Sequence, residues 1–138
     1  MKLSPNMRKL LVSEIRLAAD NMSASKNILE KIYFFSAVYG IFNRVMNIEF
    51  DPELNFIHQV TGSSYSLMSN SMMAIKSGQM VNTFGENLFS KLEDSLKQLA
   101  NNIEKDEPTY ISLHEIVNLS YSTSGNGHYL VLKGKISV

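Results

Sequence analysis

The chain has 138 residues, is 44% hydrophobic and 19% charged, and carries 13 basic and 13 acidic side chains and no cysteine. That length falls in the range of about 100–200 residues typical of one domain and is enough to bury a core. The missing cysteines exclude a disulfide framework and a thiolate metal site and fit a reducing, cytoplasmic setting. The even charge balance, with no basic stripe, argues against nucleic-acid binding through bulk electrostatics.

Ser4-Pro5 is an N-cap followed by proline at the first helical position, where a missing N–H is harmless. Met7, Leu10, Leu11, Ile15 and Ala18 then recur at helical spacing, which predicts a helix over 5–20. The N-terminal stretch has only Leu10-Leu11-Val12 as a continuous apolar run, so no secretory segment is expected.

The second helix is expected over 25–47. Asn27 with Glu30 has capping-box spacing, with Ser23 or Ser25 as alternative caps. From Ile32 to Asn43 there is no charge and no consistent polar face, which predicts a central post wrapped on nearly all sides. This run is too short for a bilayer, which needs about 20 apolar residues. Gly40, with Ser36 and Ala37 one turn earlier, is read as the place where a neighbouring helix comes close.

Asp51-Pro52-Glu53 repeats the cap-then-proline pattern and opens a third helix over 52–77. Leu54 to Ile75 contains no Asp, Glu, Lys or Arg, but hydroxyls and amides punctuate it too densely for a membrane. Leu54, Thr61, Met68 and Ile75 share one heptad line; His58, Tyr65 and Met72 share the next. The register favours one helix, with a break at 61–64 as the alternative. Residues 32–75 hold only Arg44, Glu49, Asp51 and Glu53 as charged side chains. The middle of the chain is therefore meant to be covered, by the rest of the protein or by a partner.

Thr83 and Glu86 have capping-box spacing for a fourth helix over 84–105. Its apolar stripe is Leu88, Phe89, Leu92, Leu96, Leu99 and Ile103. After Pro108 the residues are β-branched, aromatic or leucine, and Ser124-Gly125-Asn126-Gly127 is a turn signal, so a β-hairpin is expected over 117–133. A short helix capped within 112–115 could precede it. The expected fold is mainly α, bordering on α+β: a four-helix bundle-like domain with a C-terminal β-hairpin.

Nothing in the sequence spells out chemistry. His58, His114 and His128 lie in no metal-binding motif, and no nucleophile–base pair follows from spacing. Neither cofactor nor metal is expected. Glu49, Asp51 and Glu53 cluster at a helix start, where capping accounts for the last two. The function expected is that of a non-enzymatic protein-interaction or regulatory protein, binding a protein partner or itself as a homodimer. Its contact would be the uncharged third helix, around Ser64, Tyr65, Met68, Ser71 and Met72, where small side chains allow close approach and methionines adapt. The alternative is a small-ligand sensor or carrier with a pocket between helices lined by Tyr33, Tyr39, Phe42, His58, Tyr65 and Met72.

Overall fold

The computed structural model describes residues 1–124. Among these residues are five helices: α1 (Pro5–Ala24), α2 (Ile28–Met46), α3 (Pro52–Lys76), α4 (Leu88–Glu104) and α5 (Tyr110–Tyr121). The proline-led starts follow the local rules. Ser4 caps α1, accepting from the Met7 N–H at 3.3 Å, and Asp51 caps α3, accepting from the Glu53 and Leu54 N–H groups at 3.0 and 3.1 Å. Of the three candidate caps for α2, Asn27 is the one used, accepting from the Glu30 N–H at 2.9 Å. α1 runs past Asp20 to Ala24, and α2 begins later than expected, at Ile28. α3 is one unbroken helix of 25 residues.

Each helix packs chiefly against two others, closing a ring in the order α1, α2, α3, α5, α4 and back to α1. Inside it lie Leu11 and Ile15 of α1, Phe35 and Phe42 of α2, Ile57 and Met68 of α3, Leu92, Leu96 and Leu99 of α4, and Ile116 of α5. Thr109 lies beside Glu53 at the start of α3, and Thr123 beside Ser71 near its end. α5 therefore runs parallel to α3, after α4 has brought the chain back down the ring.

Several sequence expectations change. α2 is a ring member rather than a central post. Ile32, Phe35, Val38, Phe42 and Val45 face inward, whereas Leu29, Tyr33, Ala37 and Tyr39 are exposed. Its apolar character all round comes from an outer face that is uncharged and that no other described element covers. The close approach expected at Gly40 occurs at Gly62 instead. A Cβ added at Gly62 would sit 2.8 Å from the Tyr39 ring, whereas one at Gly40 would meet only the Arg44 guanidinium, at 3.6 Å.

The capping box at Thr83 and Glu86 does not form. α4 starts at Leu88 behind Asn87, whose side chain makes no capping bond. Thr83 Oγ1 donates instead to the carbonyl of Thr123 at 2.6 Å, so a tertiary partner has taken the hydroxyl from its local role. The first strand of the expected hairpin is also corrected: residues 117–121 belong to α5. Leu113, Ile116 and Ser120 recur at helical spacing and are buried against the bundle. Their burial outweighs the strand preference of Tyr110, Ile111, Val117 and Tyr121, which are left outside. The turn at 125–127 and the returning strand lie outside the described residues. The described part is thus mainly α, a bundle of five helices, with no strand to support an α+β description.

Candidate functional site

Of the five residues expected to form an interaction face, four lie together on the inner face of α3. Ser64, Met68, Ser71 and Met72 point into the ring, Met68 with no exposed surface at all. Only Tyr65 reaches the outside, half-buried on the α2 side of α3. The hydroxyls on this inner face are satisfied largely by their own helix. Thr61 Oγ1 donates to the Ile57 carbonyl at 2.9 Å and Ser71 Oγ to the Leu67 carbonyl at 2.8 Å. Ser71 Oγ also accepts from Thr123 Oγ1 at 3.3 Å, tying the end of α5 to α3.

The opposite face of α3 is the exposed one. Phe56, Gln59, Ser63, Ser66, Asn70 and Met73 recur at spacings of three and four and all face solvent. Phe56 is 58% exposed and Met73 65%. Between Glu53 and Lys76 this face offers no charged side chain. Helix periodicity carries the signal that finds it: once Leu54, Thr61 and Met68 point inward, this stripe must point outward.

The stripe has uncharged neighbours on both sides. On α2 no charge occurs between Lys31 and Arg44, and Tyr33 stands 69% exposed. On α5 Tyr110, Val117 and Tyr121 are exposed, and its one charged side chain, Glu115, lies with Ile111 on the α4 side beside Lys91 and Asp94. α2, α3 and α5 are consecutive in the ring, so their outer faces form one continuous side. Charge is concentrated on the other side, with Arg8, Lys9, Glu14, Arg16 and Asp20 on α1 and Lys91, Glu93, Asp94, Lys97 and Glu104 on α4. Arg16 pairs with Glu104 at 2.9 Å and also reaches the Asn101 amide oxygen. That contact raises the guanidinium's affinity for its proton and lowers the carboxyl's.

A surface groove of about 720 Å³ runs between α2 and α3, lined by Tyr39, His58, Gly62, Tyr65, Ser66 and Asn70 among others. The Tyr39 and His58 rings stack with centroids 4.7 Å apart and planes 12° from parallel. Gly62 leaves room for the tyrosine ring to lie on α3. His58 Nε2 is buried and has no hydrogen-bond partner among the described residues. Of the six residues expected to line a ligand pocket, the fold brings Tyr39, His58 and Tyr65 together here. It sends Phe42 and Met72 into the core and leaves Tyr33 outside.

The acidic residues at the α2–α3 junction are structural ties. Glu49 accepts from the Ser4 N–H at 2.7 Å and from Ser4 Oγ at 2.6 Å, clamping the start of α1 to the end of α2. These bonds hold its carboxyl below the usual range. For Asp51, burial pushes the carboxyl up, and the N–H groups of Lys2, Leu54 and Glu53 together outweigh it and bring it down. The Met1 amino group lies 3.3 Å from Glu53 and 3.4 Å from Asp106. Among the described residues no group of three His, Cys, Asp or Glu side chains is placed to hold a metal ion, and no helix is long and apolar enough to cross a membrane. No family model, curated protein or solved structure matches the chain.

Proposed function

We propose that this is a non-enzymatic interaction or regulatory protein of the cytoplasm, and that the outer side of α2, α3 and α5 is its docking surface. One observation carries the reading: an exposed side spanning three adjacent helices is almost free of charge while the opposite side is dense with it. Charged side chains keep a solvent-facing helix hydrated and discourage association. Their depletion, together with exposed tyrosine, phenylalanine and methionine, is the composition of the central part of a protein interface. The partner is a protein surface that is itself uncharged where it touches α3, because a charge buried there would find no counter-charge. Neither nucleic acid nor membrane suits such a side.

A photo-crosslinking residue at Ser63, and separately at Ser13 on α1, tests this in the protein's native cells. Both positions are exposed. The expected result is a discrete protein adduct from position 63 and none from position 13. Matching adduct patterns at the two positions, or no adduct from either, would overturn the reading.

The groove beside Tyr39 favours a second reading, a small-ligand sensor or carrier. Its observation is the buried, unpartnered His58 Nε2 next to a stacked tyrosine in a space of ligand size. Planar aromatic fragments should then shift the ring-proton resonances of Tyr39, His58 and Tyr65 at saturable concentrations. Shifts confined to other parts of the protein would dismiss it.

A further inference from the structure

We infer that the partner on this surface is a second copy of the chain, docked antiparallel through α3 with a two-fold axis between Ser63 and Ser66. The inference rests on the docking reading above and names the occupant. Its basis is an internal symmetry of the outer stripe. From either end the spacings between Phe56, Gln59, Ser63, Ser66, Asn70 and Met73 read three, four, three, four, three. The chemistry reads the same way: a large apolar side chain, an amide, a serine, then serine, amide and large apolar side chain.

An antiparallel helix pair with its axis at the midpoint sets each of these residues beside its counterpart in the other copy. Phe56 meets the second copy's Met73, a favourable sulfur–aromatic contact. Gln59 meets Asn70, and each amide offers both donor and acceptor to the other. Ser63 meets Ser66, where short side chains let the backbones come close. All of these pairs are exposed within one chain, and none brings a charge to the axis.

A foreign helix would have to reproduce this uncharged pattern by coincidence; a second copy supplies it by symmetry, as two-fold interfaces do. The same rotation lays α2 over α2 and α5 over α5 on either side of the α3 contact. The stripe spans about 26 Å at 1.5 Å per residue, the length of a substantial helix–helix contact.

The chain has no cysteine, so single thiols report the geometry cleanly. Gln59→Cys and Asn70→Cys chains, tagged to differ in mass, are mixed and treated with a short bifunctional thiol reagent. The expected product is the mixed 59–70 dimer, with little 59–59 product, because those two positions lie about 16 Å apart along the antiparallel pair. Sedimentation equilibrium of the wild type should find a dimer at micromolar concentration. Ser66→Glu should weaken it by about 100-fold or more, by placing two like charges at the axis, while the helical circular dichroism stays unchanged.

A dimer that cross-links 59 to 59, or one indifferent to Ser66→Glu, would overturn the arrangement. A monomer at about 100 µM, far above the micromolar range in which symmetric dimers of this kind should form, would overturn the second copy as occupant. The Ser63 photo-adduct then judges the docking reading separately. An adduct of other than twice the chain mass keeps the docking surface with a different partner, and no adduct removes both.

Discussion

The two sides of the helical ring differ in what their outer faces are made for. α1 and α4 pack side by side and carry mixed charges turn after turn, several of them paired across the two helices, as Arg16 is with Glu104 and Lys97 with Asp20. α2, α3 and α5 share the same core and are as well buried inward, yet outside they present serine, amide, tyrosine, phenylalanine and methionine. Both sides pack inward against one core; they differ most in the solvent-facing residues, which contribute little to folding. That surface composition, which folding does not demand, is the basis of the proposed docking surface.

The sharpest test of the comparison sets the two faces of α3 against each other. Met68 is fully enclosed, so Met68→Glu must bury a carboxyl without a partner. A pKa shift of some 3–5 units for such a group corresponds to about 4–7 kcal/mol, a large part of a typical stability of 5–15 kcal/mol. Loss of the cooperative thermal transition is expected. Ser66→Glu, two residues away on the outer face, should stay within about 0.5 kcal/mol of wild type when the chain is diluted to monomer. Equal losses at both positions would break the assignment of faces.

The same contrast holds on α2. Phe42→Ala empties a core position and should cost about 3–5 kcal/mol in chemical denaturation. Tyr33→Ala, on the face left exposed within one chain, should cost less than about 0.5 kcal/mol when the chain is diluted to monomer.

A smaller effect is expected where α2 and α3 touch. Gly62→Ala gains about 1 kcal/mol of helix propensity but drives the new Cβ into the Tyr39 ring, 2.8 Å away. In a Tyr39→Ala background that obstacle is gone. Gly62→Ala should therefore be at least about 1 kcal/mol more favourable there than in wild type, and additive effects would show that the ring does not rest on α3.

Acid should loosen the α1–α2–α3 junction. The Glu49 and Asp51 carboxyls are held below their ordinary range by the bonds from Ser4, Lys2, Glu53 and Leu54, so the folded state favours their ionised forms. That contribution is complete above the unfolded values of about 4 and is lost as pH falls through the lower folded values. The melting temperature should drop below about pH 4, and Glu49→Gln should flatten the drop. An unchanged slope in that variant would show that Glu49 does not clamp Ser4.

Much of this architecture is legible in the residues. Ser4-Pro5, Asn27 and Asp51-Pro52 mark three helix starts because a cap needs only its own next turn. The α4 stripe through Leu92, Leu96 and Leu99 marks its buried face for the same kind of reason. The candidate surface was harder to read. The sequence singles out the uncharged span Leu54–Ile75 but assigns Met68 and Ser71 to the contact, because hydroxyls in a core look unsatisfied until their bonds to carbonyls one turn back are seen.

What the sequence by itself determined is local: where helices begin, which residues share a face, and where charge is absent. Those properties depend on residues within a turn or two of each other. Tertiary structure decided which face of α3 turns outward, that α2 stands in a ring rather than at its centre, and that residues 110–121 coil instead of extending. Periodicity groups residues into faces but cannot say which face meets a neighbour. That choice falls to burial summed over all five helices, in which Leu113 and Ile116 outweigh the strand preference of their own neighbours.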